Sequence, residues 1–134
     1  MAADAASGDT PAVEYYPLPA GQQLPFSEAV RVGHMLYLSG QMGTDASGAL
    51  VPGGIDAETR QALANITTAL ERHGSSMDRV VKVLVMMADM REWPAMNAVY
   101  VPHFPTHLPA RSAFGASGLA LGGRVEIEVV ATVG

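Results

Sequence analysis

Apolar side chains recur along this chain with two different periods. Between residues 57 and 73, Leu63, Ile66 and Leu70 fall three or four apart, while Glu58, Arg60, Glu71 and Arg72 take other positions. That is the spacing of an amphipathic helix. Asp56 stands where an N-cap is expected and Gly74 where a C′ glycine would end the helix. A second, shorter helix is expected over residues 91–101, where Met96, Val99 and Tyr100 share one face. Pro94 is tolerated in its first turn, and Pro102 and Pro105 force an early end.

Elsewhere the period is two. In the last strand Val125, Ile127, Val129, Ala131 and Val133 point one way and Glu126, Glu128, Val130 and Thr132 the other. Residues 29–32 and 35–41 predict a hairpin turning at Gly33 and His34. "RVVKVLVMMADM" is a β-branched run that predicts a strand buried on at least one face. "ARSAFGAS" predicts another strand, joined by the glycine-rich "GLALGG" to "RVEIEVVATV". "VEYYPLP" reads as a short edge strand whose pairing is limited by Pro17 and Pro19. The order is β-β-α-β-α-β-β after that edge strand, an α+β layer fold with two helices on one face of a sheet. The sheet's second face then needs a cover, and a partner subunit is the expected one. A single domain is expected over residues 13–134. Residues 1–12, rich in Ala, Ser, Gly and Asp, are expected to form a flexible tail.

Composition strengthens the case for a partner. Hydrophobic residues make up 49% of the chain and charged ones 16%, against about 25% charged in ordinary soluble domains, so apolar surface is expected between subunits. The net charge of −5 and the singly scattered basic residues leave no footprint for nucleic acid. The absence of cysteine excludes disulfides, thiolate metal sites and thiol nucleophiles. "MAADAASGDTPA" has neither the basic nor the apolar region of a secretory signal. The most apolar run is interrupted by Lys82 and is too short to span a bilayer, so a soluble cytoplasmic protein is expected.

Few residues carry candidate chemistry. Arg111 lies in an apolar run, and Glu126 and Glu128 occupy the uncovered face of the last strand. If "ARSAFGAS" pairs antiparallel with "RVEIEVV", Arg111 approaches that acidic face, and the pair is either structural or a site. In a site, Arg111 would grip a ligand carboxylate while a glutamate handles a water. Ala113, Gly115 and Ser117 leave room beside the guanidinium. Pro105 separates His103 from His107 and no acid accompanies them, which argues against a metal site. His34 and His73, at a turn and a helix end, read as solvated. Lys82 reads as a stem packed on the sheet with its ammonium in water. Ser39 and Ser117 lack a nucleophile elbow, and the glycine-rich loops lack phosphate-binding patterns. Met86, Met87, Met90 and Met96 are expected to fill gaps in the core.

"PFSEAVRVGHMLYLSGQMG", "VPGGIDAETRQALANITTALERHGSSMDRVVKVLVMMADM", "MNAVY", "LPARSA" and "RVEIEVVA" follow one another between residues 25 and 131. Together they resemble the Rid family, the reactive intermediate deaminases also called YjgF or L-PSP endoribonuclease proteins. The resemblance implies a chorismate-mutase-like fold in a homotrimer, with the sheets facing inward as a barrel and the active sites in clefts between subunits. It implies hydrolysis of 2-imino or 2-enamino acids to 2-oxo acids and ammonia, with no metal or organic cofactor. By the same resemblance Arg111 binds the substrate carboxylate and Glu126 positions and activates the water, leaving Glu128 a structural or interface role. Ser39 and Gly40 match the pocket-lining SG pair, Asn97 matches the asparagine of the second helix, and the backbone at Ala113 helps hold the carboxylate. This chain departs from the family in carrying Phe26 where a tyrosine is usual and Ala113 where a cysteine is frequent. Those departures put the substrate range in question more than the reaction. A ligand-binding trimer without turnover, or a ribonuclease, are the alternatives the resemblance leaves open; the acidic charge argues against the second.

Overall fold

A computed structural model describes residues 10–134. The tail expected over residues 1–12 lies, as far as residue 9, outside the described residues. Seven strands form one mixed sheet: β1 (Val13–Tyr16), β2 (Ala29–Val32), β3 (Met35–Leu38), β4 (Gln41–Met42), β5 (Val80–Met87), β6 (Ala110–Gly115) and β7 (Val125–Thr132). Two helices, α1 (Gly54–Arg72) and α2 (Trp93–Tyr100), accompany it. The strand order is β1-β2-β3-β7-β5-β6, with β4 also paired to β7. This is the α+β arrangement expected from the two hydrophobic periods.

The central strand is β7, which pairs antiparallel with β3 and β4 on one side and with β5 on the other. Its strict alternation suits that place, because Val125, Ile127, Val129 and Ala131 are all buried. They meet Leu63, Ile66 and Leu70 of α1, together with Val83, Val85 and Met87 of β5 and Met96 and Tyr100 of α2, in one core. The expected helical faces are therefore the buried ones.

One pairing differs from expectation. β6 does not lie beside β7; it runs parallel to β5 at the sheet's edge. The connection from β5 to β6 contains α2, and a parallel crossover needs such a helix-bearing segment to return the chain to the same end of the sheet. Adjacency in sequence suggested β6 and β7 as neighbours, but β5 takes the place between them.

Local differences have local causes. Helix α1 begins at Gly54, before Asp56, after a left-handed Gly53 with φ of 118°. Asp56 thus sits in the first turn, where its charge still favours the helix dipole. At the other end the Gly74 and Ser75 N–H groups donate to the Glu71 and Leu70 carbonyls, at 3.3 and 2.8 Å. Gly74 has the positive φ of 82° that this closure requires. Pro94 lies in the first turn of α2, and Pro102 lies in the short 3-10 turn Val101–His103 that follows it. Of the methionines, Met87 and Met96 fill the core, whereas Met90 is exposed and Met86 faces the open side of the sheet.

His73 is not solvated as its place at a helix end suggested. Its Nε2 lies 2.7 Å from Glu28, whose buried carboxylate also pairs with Arg72 at 2.5 Å, and its ring stacks on Tyr16 at 4.3 Å. These partners come from β1, the start of β2 and the end of α1, so no local pattern announced the cluster.

Among the described residues nothing covers the sheet's second face. It presents Tyr15, 71% exposed, and Tyr37 and Phe114, each 46% exposed, on strands β1, β3 and β6. No helix among the described residues is long and apolar enough to cross a membrane.

Candidate active site

The residues singled out from the sequence form two groups, one on each face of the sheet. In register with Arg111 on β6 is Val83 on β5, and Val83 in turn pairs with Val129. Both valines are buried under the helices, and paired residues share a face, so Arg111 lies on the helix side. Glu126 pairs with Met86, which pairs with Phe114, and these lie on the opposite, open side. The expected approach of Arg111 to the acidic face of β7 is therefore excluded. The β6 strand is one strand too far away, and alternation turns its arginine to the other face.

Arg111 is held by α2. Its Nη1 donates to Asn97 Oδ1 at 2.7 Å, and its Cζ lies 4.7 Å from the Tyr100 ring centroid and 5.9 Å from that of Trp93. Residues 93, 97 and 100 lie on one stripe of a helix, so the aromatic seat and the amide come from a single face. That i, i+4, i+7 spacing is a signal for Trp93 and Tyr100 that the sequence itself carries. A cleft of about 370 Å³ opens beside the guanidinium, lined by Asn97, Tyr100, Val101, Leu108, Pro109 and Arg111. With one amino group on Asn97 and its face on an aromatic ring, the arginine keeps further donors for a ligand, the arrangement suited to bidentate carboxylate binding.

Ala113 lies two residues further along β6, on the same side as Arg111. Because β6 is an edge strand, alternate N–H groups on it have no strand partner and are open to an anion. The Tyr100 hydroxyl is closed to solvent and has no hydrogen-bond partner among the described residues. Burial pushes its phenol above its ordinary value, opposed by the nearby Arg111 guanidinium through its charge and its proximity as a hydrogen-bond donor.

The second group is built around a bulge. Tyr37 pairs with Val130 and Gln41 with Ile127, so one extra residue is accommodated between β3 and β4, at Leu38 to Gly40. Bulges re-aim side chains and are common beside sites. This one splits the single strand expected over residues 35–41. Ser39 donates its N–H to the Glu28 carbonyl at 3.0 Å and its hydroxyl to the Ser27 carbonyl at 2.6 Å. The hydroxyl oxygen keeps its lone pairs as acceptors, and the exposed Phe26 ring is carried by the same segment. Glu28, clamped by Arg72 and His73, fixes that segment from behind.

Gly40 lies against Glu126. A Cβ added there would collide with the carboxylate and come within 3.0 Å of Glu126 Cδ. Only a glycine lets the backbone approach the acid so closely. Glu126 is half-buried, between Met42 of β4 and Met86 of β5 in register. Burial first, and then the like charge of Glu128 two residues along the same face, pushes its carboxyl above its ordinary value. A carboxylate of raised basicity in an apolar row is suited to taking a proton from water.

The remaining sequence candidates stay apart from both groups. His103 contacts the Val99 carbonyl at 2.9 Å, while His107 lines a separate cleft with Asp78 and Arg79. Among the described residues no group of three His, Asp or Glu side chains is placed to hold a metal. Lys82 is exposed on the open face.

Comparison with known proteins gives the chain its family. A sequence model of the family described as Endoribonuclease L-PSP matches residues 19–133. A goat (Capra hircus) protein named 2-iminobutanoate/2-iminopropanoate deaminase is 47% identical over 111 residues, covering 82% of this chain and 81% of the relative. The human (Homo sapiens) protein of the same name is 41% identical over the same length, covering 82% and 81%. A crystal structure of a Rid-family protein from Yersinia pestis superposes with a TM-score of 0.82 at 33% identity, covering 91% of this chain and all of that one. That of RidA from an Antarctic Psychrobacter gives 0.78 at 33% identity, covering 93% and 99%. Fold, motifs and relatives converge: this chain belongs to the Endoribonuclease L-PSP family, the Rid or YjgF proteins.

Proposed function

We propose that this protein hydrolyses 2-imino and 2-enamino acids to 2-oxo acids and ammonia, at a site to which two copies of the chain contribute. The observation that carries the reading is the pair of complementary half-sites. One is a preorganised arginine with a cleft for a carboxylate; the other is a basic carboxylate held against Gly40. The name shared by the goat and human relatives supports the reaction class.

The chemistry follows from what each half supplies. Arg111, with the edge backbone at Ala113, fixes the substrate carboxylate and so places C2, already electrophilic as an imine carbon. Glu126 accepts a proton from water as the oxygen attacks C2, giving a carbinolamine. Glu126 gives that proton to the nitrogen, completing the amino group, and then carries the C2 hydroxyl proton to it as well; the C–N bond breaks, ammonia leaves and the C2 oxygen remains as a carbonyl. Ser39, Gly40 and Phe26 line the Glu126 half, with the Phe26 ring offering apolar contact and no hydroxyl. The copies assemble as a homotrimer with their open faces inward, which accounts for the uncovered Tyr37 and Phe114.

Generating 2-iminopropanoate with an amino acid oxidase and following its decay with and without the protein tests the activity. Acceleration is expected, and Arg111→Ala should reduce kcat/KM by about 10²-fold or more, chiefly through KM. Glu126→Gln should lower kcat by about 10²–10⁴-fold while still binding a small 2-oxo acid. No acceleration across several imines would overturn the reading.

A further inference from the structure

Three buried side-chain oxygens among the described residues have no hydrogen-bond partner, Thr59 Oγ1, Glu92 Oε1 and the Tyr100 hydroxyl, and of these only Tyr100 belongs to the Arg111 cleft. Tyr100 is 3% exposed, and its oxygen is sealed from solvent with no hydrogen-bond partner among the described residues. A buried hydroxyl is ordinarily paired, and a phenylalanine would fill the same volume without the unmet polar group. The orphan atom is not in a remote part of the core. It belongs to the ring that lies under the Arg111 guanidinium, and the same residue helps line the cleft beside it.

Arg111 has five N–H donors in a rigid plane. One amino group is tied to Asn97 Oδ1, which fixes one point of the fork but leaves rotation about that contact. A second fixed point would determine which edge faces the cleft, and the Tyr100 hydroxyl is within reach of the guanidinium, which opposes the effect of burial on the phenol through its charge and its proximity as a hydrogen-bond donor. We propose that Tyr100 is a positioning residue for carboxylate recognition: when a substrate carboxylate engages Arg111, the Tyr100 hydroxyl accepts a guanidinium N–H and sets the fork's orientation. Asn97 and Tyr100 then hold the inner edge of the guanidinium, and its outer edge meets the carboxylate in a bidentate pair. The inference rests on the carboxylate-binding reading of the cleft and adds to it the group that aims the arginine.

Tyr100→Phe isolates the hydroxyl, because the ring and its contact with Arg111 remain. The Kd for 2-oxobutanoate, measured by calorimetric titration, and the KM for the corresponding imino acid are both expected to rise about 5- to 10-fold, the range ordinary for one intramolecular hydrogen bond. Turnover at saturation is expected within about 2-fold of wild type, since Tyr100 acts through the arginine and not at C2. The thermal midpoint is expected not to fall, because the variant removes an unpaired buried polar group. Tyr100→Leu, which also removes the aromatic face, should weaken binding further. Unchanged Kd and KM in Tyr100→Phe would overturn the assignment, as would a fall in kcat at unchanged KM. Wild-type protein that neither binds the 2-oxo acid nor hydrolyses the imine would refute the site reading itself and the Tyr100 role with it. Normal wild-type binding and turnover matched by Tyr100→Phe would refute only the Tyr100 role.

Discussion

At the scale of single residues, the two halves of the site owe their character to contacts a side-chain inventory does not reveal. Gly40 matters for what it lacks. A methyl group there meets only the movable end of Glu126, so Gly40→Ala should fold with a near-normal thermal midpoint yet lose about 10²-fold in kcat, the usual cost of misplacing a reacting group by about 1 Å. A loss of folding in step with activity would show that the contact is structural. Glu128 acts on Glu126 through charge. On the proposed mechanism turnover needs the Glu126 carboxylate, so activity should rise with pH through a raised pKa. Glu128 contributes to that rise after burial. Glu128→Gln should therefore move the acidic limb of the kcat profile to lower pH while leaving the alkaline side in place. A limb that stays put or moves upward would contradict the coupling.

At the scale of elements, the helices position the proposed site and β7 carries its carboxylate, Glu126. Ile66 of α1 is fully buried against the sheet, and Ile66→Ala should cost about 2–5 kcal/mol of stability, measurable by denaturant unfolding, with kcat of the folded fraction retained. The elements themselves were legible because each carries its own period. Leu63, Ile66 and Leu70 marked α1, and alternation in "RVEIEVVATV" placed the two glutamates on the face away from the core. Strand neighbours were not legible in that way. Nothing in the local pattern says that β5 separates β6 from β7, and with that error Arg111 was put on the wrong face relative to Glu126. The bulge at Ser39 and Gly40 was hidden for the same reason, since it exists only relative to the register of β7. Glu28 with Arg72 and His73 was equally silent, because its members meet across more than forty residues of chain.

At the scale of the whole molecule, the sheet itself separates the acid from the anchor. Arg111 lies on the helix side with Asn97 and Tyr100, and Glu126 lies on the open side with Gly40. On the proposed mechanism one copy cannot bring both to one substrate, and the exposed apolar face is the surface on which another copy would complete the site. The most direct measurement mixes two impaired variants. Arg111→Ala and Glu126→Gln are each expected to keep about 1% or less of wild-type activity at substrate well below KM, where the mixture is also assayed, and are unfolded together and refolded as a mixture. If Arg111 of one copy works with Glu126 of its neighbour in a head-to-tail ring, an equal mixture should regain about one quarter of wild-type activity, the fraction of interfaces that pair an intact arginine with an intact glutamate. A mixture that remains as inactive as its components would contradict the shared site.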